Sequence, residues 1–368
     1  MARPPGGVHP RGGTIIDASN DFAVIEGAAA WYGSDMLNRS GEWLYELDSA
    51  HVAEIDSAVA TIIEDGTPIL DITRAVFPLP TLQSRLDAIQ DDVVNGRGFA
   101  LIRGLPVDRY SLEEAAVAYF GIGSSFGWAI PQNAKGHVLG HVRDIGLDPN
   151  DPTHRLYGTR ARHLYHTDSC DIVGLLCLQT AKSGGFSKIA SSVTVFNEMV
   201  EQRPDLAKVM AEPFTLDRKG EIPEGKGPHY QMPIFHLEDG VLTTTYNRDF
   251  ITAAQRFEDV APLTDEQVAA MDLADELADR ADIRLEMDFR RGDIQFIHNH
   301  QVLHARTPYE DYPEEERKRH LMRLWLAPPN GRPLAPVIAE RFGTIEQGTA
   351  RGGIRVPGQT LRAPLHPE

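Results

Sequence analysis

Two imidazoles and a carboxylate that converge on one point make a metal site, and His166-Thr167-Asp168 offers the first half of one. On an extended strand, residues i and i+2 face the same side, so both side chains can approach one ion. A third ligand from a distant strand completes a set of two histidines and one carboxylate, which leaves adjacent positions open on iron(II). The spacing alone is not unique, since His236-Leu237-Glu238 and His366-Pro367-Glu368 share it. The first of these runs into the Asp239-Gly240 turn and the second lies at the last residues given, so both read as surface positions. For the distal ligand, His298, His300 and His304 crowd one stretch, and the first two could share a strand face.

Such ligands need strands to carry them, and the second half of the chain supplies a strand pattern. From about Gly136 short apolar runs alternate with Gly and Pro; Asp171 to Ala181 (DIVGLLCLQTA) is one, and Leu321 to Ala327 (LMRLWLA), closed by Pro328-Pro329, is another. Phe235 to Tyr246 carries Glu238-Asp239-Gly240 between two strand-like arms, a hairpin signal. Ile283 to Phe289 and Ile294 to His298 flank a tight turn at Arg290-Arg291-Gly292-Asp293. The first hundred residues are mostly helical in pattern. Leu47 to Asp65 puts Val52, Ile55, Val59, Ile62 and Ile63 on one face and stops at Gly66; Leu79 to Val94 repeats the pattern. Phe99 to Ile102 then reads as a buried strand. Tyr110 to Phe120 and Leu263 to Arg280 read as helices, with capping boxes at Ser111/Glu114 and Thr264/Gln267. Helices outside many short strands predict one α+β domain around a β-sandwich or barrel.

Composition narrows the function classes. The 368 residues carry 36 basic and 53 acidic side chains, a formal net charge of −17. Nucleic acid and anionic membranes both need basic patches, so neither is the expected partner; the charge itself serves solubility. Two cysteines, Cys170 and Cys177, build neither a disulfide framework nor a cysteine zinc site, and they point to a reducing cytoplasm. No run approaches the ~18 apolar residues of a membrane span. The Pro/Gly-rich start MARPPGGVHPRGG has no apolar signal core and reads as a lead-in.

Two long segments carry a family resemblance. HLYHTDSCDIVGLLCLQTAKSGGFSK resembles the first iron motif of the taurine dioxygenase/2,4-dichlorophenoxyacetate dioxygenase (TauD/TfdA) family, where the motif precedes an apolar strand and a Gly-Gly turn. GDIQFIHNHQVLHARTPYEDYPEEERKRHLMRLWL resembles the second, with Asn299 five residues before His304 and with Arg319 and Arg323 beyond. NGRGFALIRGLPVDRYSLEEA looks like the start of the same catalytic core. The resemblance implies a double-stranded β-helix (jelly-roll) core with flanking helices, of the clavaminate synthase-like kind. It implies iron(II), 2-oxoglutarate as co-substrate, and O₂, with His166, Asp168 and His304 as the metal ligands. The expected organisation is an N-terminal lead-in and helical segment over 1–94, the jelly-roll core over 95–330, and a C-terminal extension over 331–368.

The same resemblance assigns the pocket. Arginine suits the remote carboxylate of 2-oxoglutarate because its planar fork binds bidentately and keeps its charge. Arg319 fills that position, and Ser187, just after the Gly184-Gly185 turn, stands where better-known members have Thr. Arg323, on the same strand face as Arg319, is expected to hold an anionic group of the substrate, with Arg248 a second candidate. Gln132, Asn133 and His163 complete the expected substrate contacts, and Trp128 could line the cavity. The implied reaction oxidises, most simply hydroxylates, a C–H of a small anionic or zwitterionic molecule and releases succinate and CO₂. Because Asp168 is present, halogenation is disfavoured; desaturation and cyclisation stay open, as does a homo-oligomer. The competing readings are a cupin-like, non-oxidative metal enzyme and a catalytically silent jelly-roll binding protein.

Overall fold

The structure is a computed structural model that describes residues 22–238 and 240–368; the lead-in over 1–21 and Asp239 lie outside the described residues. Two sheets organise it. Their strands, in chain order, are β1 (Leu44–Glu46), β2 (Phe99–Arg103), β3 (Trp128–Ala129), β4 (Leu139–Val142), β5 (His163–His166), β6 (Ile172–Gln179), β7 (Ser187–Ser191), β8 (Arg284–Met287), β9 (Ile294–His298), β10 (Val302–Arg306) and β11 (His320–Ala327). The larger sheet runs β1-β2-β9-β6-β11-β3, with β4 also on β11; the smaller runs β8-β7-β10-β5. Together they form a double-stranded β-helix core flanked by helices.

Period-two alternation sorts the side chains into three apolar layers. On β6, Ile172 and Leu176 face outward, where they join Ile294 and Phe296 of β9 and Met322, Leu324 and Leu326 of β11 against the helices Ser49–Asp65, Gln83–Asn95 and Leu112–Gly123. Val173 and Cys177 face inward with Leu321 and Trp325, and meet Ile189, Leu285 and Val302 of the smaller sheet. The outer face of the smaller sheet, with Ala190 and Leu303, is covered by the helices Ser192–Gln202, Pro204–Met210 and Asp265–Asp279. The expected capping boxes form at Ser111 and Thr264, each with its reciprocal bond from the backbone N–H.

The tight turn expected at Arg290–Asp293 is present, and it joins two sheets: β8 pairs with β7, whereas β9 pairs with β2 and β6, so the turn carries the chain from one sheet to the other. Buried Asp293 fixes the crossing by accepting two bonds from Arg103, at 2.9 and 2.7 Å, and one from the Arg290 amide. Trp128 does not line the cavity between the sheets; it is 45% exposed on the outside. The hairpin expected over Phe235 to Tyr246 is present as Phe235–Glu238 against Val241–Thr244. Among the described residues no helix is long and apolar enough to cross a membrane.

The C-terminal stretch is fastened to the core by a buried ion pair. Arg351, 1% exposed, donates to Asp171 at 2.9 and 2.6 Å and to the carbonyls of Arg332 and Ile345. His300 approaches the same carboxylate at 3.2 Å. Removing one partner strands a charge in a dry interior, which costs far more than the pair contributes. Arg351→Met is expected to lower the unfolding free energy by about 3 kcal/mol in equilibrium urea denaturation. A change below about 1 kcal/mol would mean that water reaches Asp171.

Candidate functional site

β5 ends at His166, and Asp168 lies just past the strand rather than on it. A different device holds the carboxylate in place. The Asn299 side chain accepts from the Asp168 amide at 2.7 Å and donates to the carbonyls of Asp168 and Cys170 at 2.6 and 2.9 Å. Asn299 follows directly on β9, so the buried amide ties the loop after β5 to the larger sheet. β10 pairs antiparallel with β5, and the register sets His304 opposite His166.

One donor atom from each of His166, Asp168 and His304 lies within 4.8 Å of the others. His166 Nε2 is 3.9 Å from Asp168 Oδ1, and His304 Nε2 is 3.7 Å from Oδ2. These separations are too long for direct hydrogen bonds, so three ligand atoms face one another without satisfying one another. His166 Nδ1 donates to the Leu164 carbonyl at 2.8 Å, which turns the Nε2 lone pair toward the shared space. Burial, reinforced by His304, pushes the His166 imidazole down to about 3. Burial alone would raise the Asp168 carboxyl, but Arg323, His304 and His166 outweigh it and hold it well below the usual range. A neutral imidazole and an ionised carboxylate are the states a divalent ion requires. His298 and His300 point elsewhere: His300 sits on Asp171, and both His298 ring nitrogens are buried without a partner among the described residues.

A cleft between the sheets runs from His166 and His304 to Arg306 and Arg319, past Tyr157 and Phe289. Arg319, 5% exposed, has Nη1 without a partner and only a long contact of 3.4 Å from Nη2 to the Gly185 carbonyl. No described carboxylate pairs with its guanidinium, and burial pushes its affinity for the proton down. The Gly184-Gly185 turn makes the room: a Cβ on Gly185 would stand 2.9 Å from Arg319 Nε, and φ there is +71°. Ser187 lines the cleft, and its hydroxyl reaches Gln295 Oε1 at 3.5 Å.

Arg306 was not anticipated. Its Nη2 donates to the carbonyls of Thr159 and Ala161, but Nε and Nη1 are buried without partners, and burial with Arg319 nearby lowers it to about 10. The signal was available, because Arg306 is two residues from His304 on β10 and so shares its face. The Tyr309 hydroxyl, with its ring beneath both guanidiniums, is also unpartnered.

The expected substrate contacts divide. His163 lines the cleft and stacks on His166 at 3.8 Å between ring centroids. Arg323 also lines it, but Nη1 lies 3.5 Å from Asp168 Oδ2 and Nε donates to Gln132 Oε1 at 2.7 Å. The Gln132 amide is fully occupied, since Nε2 donates to the carbonyls of Val138 and Arg323; it positions Arg323 and has no group left for a substrate. Asn133 engages His137 and lies outside the cleft. Arg248 is a correction: it opens the helix Arg248–Ala254, away from the cleft lining, and Asp275 and Asp272 hold it at 2.7 and 2.6 Å.

The sequence matches the family described as Taurine catabolism dioxygenase TauD, TfdA family over residues 64–325. It is 31% identical to FR-33289 synthase from Streptomyces rubellomurinus over 84% of this chain and 91% of that protein. A uridine-5'-phosphate dioxygenase from Amycolatopsis is 30% identical over 50% of this chain and 67% of its own. The fold resembles asparagine oxygenase solved with Fe(II), a hydroxyasparagine and succinate, at TM-score 0.61 and 15% identity, covering 77% of this chain and 93% of that one.

Behind the cleft, buried histidines set an acid limit. Burial holds His236 down to about 4, and burial together with His141 holds His320 down to about 3, against an ordinary 6.5. Below that ordinary value the unfolded chain binds protons that the folded chain refuses, so stability falls as pH drops from 6.5 toward 4. The loss is expected to be roughly 2 kcal/mol per imidazole at pH 5, read from urea midpoints of the metal-free protein. An unchanged slope in the His236→Gln/His320→Gln double variant would reassign the effect to other groups.

Proposed function

The chain belongs to the TauD, TfdA family and is a 2-oxoglutarate-dependent non-haem iron dioxygenase acting on a small molecule, and we propose that the cleft between its sheets is the active site. In this reading His166, Asp168 and His304 hold iron(II). Arg319, with Ser187 beside it, receives the remote carboxylate of 2-oxoglutarate. The observation that carries the reading is Arg319 itself, a buried guanidinium with an unsatisfied donor and no described counter-ion, in a cleft whose opposite end is the three-ligand cluster. A desolvated cation of this kind requires an anion to offset its burial. A non-oxidative metal enzyme has no use for one there, and a silent binding protein would gain no stability from metal and 2-oxoglutarate together.

When bound, iron would supply the chemistry by which O₂ oxidises both 2-oxoglutarate, released as succinate and CO₂, and a C–H bond of the substrate. The protein's own residues supply geometry. Trp325 Nε1 donates to Asp168 Oδ2 at 2.9 Å and Leu164 fixes the His166 tautomer, so the ligands are oriented before any ion arrives. Leu175, Leu321, Val142 and Phe289 line the cleft with apolar surface that keeps water from the reacting centre. The substrate is a small anionic or zwitterionic molecule. A relative named for uridine 5'-phosphate supports an anion.

Manganese plus 2-oxoglutarate is expected to raise the melting temperature of the chain, and substrate-dependent succinate release is expected to vanish in His166→Ala and Asp168→Ala while the fold persists. Retained turnover would remove those residues from the metal. Arg319→Ala is expected to raise the 2-oxoglutarate requirement by roughly a hundredfold with little change in manganese affinity, and an unchanged requirement would reassign it. Trp325→Phe keeps an aromatic ring at this buried position and removes the donor to Asp168. It is expected to weaken manganese binding about tenfold in a titration followed by paramagnetic resonance; equal affinity would show that the indole does not orient the carboxylate.

A further inference from the structure

The stretch 143–162 connects β4 to β5 outside both sheets, and at Tyr157 it forms part of the cleft wall. Arg306 grips its inner side: Nη2 donates to the carbonyls of Ala161 and Thr159 at 2.6 and 2.9 Å, with that of Leu156 further off at 3.3 Å. We propose that Arg306 is a positioning residue that couples this segment to the co-substrate. An anion in the cleft fixes the guanidinium, and the fixed guanidinium holds residues 156–161 closed over the place of the substrate. The inference rests on the oxygenase reading above.

Only one end of the guanidinium is committed. Arg306 is buried, no described carboxylate pairs with it, and Nε and Nη1 have no partner. Holding the segment needs Nη2 alone, so the remaining desolvated donors are a standing cost until an anion meets them. Arg319, also without a carboxylate, shares the Tyr309 ring with Arg306, at 5.2 and 5.0 Å from its centroid. Without an anion the two cations repel. Swinging Arg306 outward then relieves repulsion and burial together, and it surrenders the bonds to the segment; an anion reverses that balance. The other attachments of 156–161 are weaker. Arg160–Asp144 at 2.9 Å and Arg162–Asp279 at 3.4 Å are surface pairs, their arginine side chains 60% and 54% exposed, and such pairs contribute little. The bond from the Ile145 amide to the Gly158 carbonyl lies within the stretch and moves with it, and the Tyr309 amide reaches the Arg160 carbonyl only at 3.3 Å. Arg155, on the Gln132 carbonyl at 2.6 Å, anchors the chain just before the segment.

Position selects the ligand that does this. Arg306 stands two residues beyond His304 on the same face of β10, about 7 Å further along the strand. A molecule that reaches from the three-ligand cluster to Arg319 must pass Arg306, whereas a ligand held at the cluster alone does not reach it. The anion is therefore the remote carboxylate of the co-substrate diacid, and the unpartnered Tyr309 hydroxyl is a further donor to it. Closure is felt at the substrate's side through Tyr157, whose ring lies 5.0 Å from the Arg323 guanidinium.

The test is limited trypsin digestion of the full chain, with manganese alone and with manganese plus saturating 2-oxoglutarate, read by mass spectrometry of the fragments. Cleavage after Arg160 and Arg162 reports the segment. It is expressed relative to cleavage after Arg74, outside the cleft lining, so that a change in global stability cancels. In the wild type, 2-oxoglutarate is expected to slow cleavage of the segment at least roughly tenfold. In Arg306→Gln that protection is expected to fall below about twofold, while manganese and 2-oxoglutarate, with Arg319 intact, still raise the melting temperature. Arg306→Lys keeps the charge but cannot span two carbonyls and an anion, so partial protection is expected; it carries the test if the Gln variant does not fold. A side chain that merely glued the segment down would make cleavage independent of 2-oxoglutarate. Equal cleavage with and without 2-oxoglutarate in the wild type, or full protection in either variant, would overturn the coupling. If manganese and 2-oxoglutarate fail to raise the melting temperature of the wild-type chain, the reading beneath it falls instead.

Discussion

The candidate site depends on the pairing of β5 with β10, which sets His166 opposite His304. Shifting that ladder by one residue would turn His304 to the opposite face of its strand, because side-chain direction reverses at every step. The apolar layers guard against such a slip. Leu303 belongs to the outer cluster under the helices, and Val302 to the cluster between the sheets, so a slipped β10 would bury Arg306 in the outer core and expose Leu303 to the cleft. The meeting of His304 with His166 therefore follows from hydrophobic sorting on a strand whose polar residues have no other place to go.

The loop after β5 has no such ladder, and its order comes from polar clamps instead. Asn299 holds Asp168 and Cys170 from the larger sheet, Arg341 holds Thr167 and Ser169 from the C-terminal stretch, and Arg351 holds Asp171. Five consecutive residues are thus pinned by side chains far away in sequence. Buried polar networks are costly unless fully satisfied, and this one is satisfied at nearly every position. Such a loop keeps its shape without an ion, and a site built in advance loses less entropy when the ligand arrives.

How much of this could be read in the amino-acid sequence depends on the range of the interaction. Local signals transferred well: the Ser111 and Thr264 capping boxes, the continuous apolar runs of β6 and β11, and the Gly184-Gly185 turn all depend on neighbours within a few residues. Each motif segment is local in itself, His166-Thr167-Asp168 in one and Asn299, His304 and Arg319 in the other, and the family resemblance rather than spacing linked the two. Partner choice over long range was not legible. Nothing near Arg248 in sequence reveals that Asp272 and Asp275 lie on a helix that folds back to it, and nothing near Gln132 reveals that its amide will be spent on Arg323. Arg306 was missed for a different reason. Its face was deducible from His304, but its lack of a carboxylate partner is visible only once the whole surroundings are assembled.

Arg323 shows why a charge near a candidate ligand such as Asp168 need not belong to a substrate. Asp168 divides its two oxygens: Oδ2 accepts from Trp325 and lies 3.5 Å from Arg323 Nη1, while Oδ1 faces His166. A carboxylate with both oxygens equally free could swing between an ion and nearby cations. Fixing one oxygen to the protein leaves the other in a single orientation, and Gln132, by holding Arg323 Nε, keeps the guanidinium from following the ion. The acidic exterior, at net charge −17, thus encloses a basic interior whose arginines have separate duties: orienting Asp168, facing the cleft without a counter-ion, and clamping Thr167 and Ser169. Separation on that scale needs rigid strands between the charges, because Arg306 and Arg319 repel each other across one tyrosine ring and only the sheets hold them there until an anion intervenes.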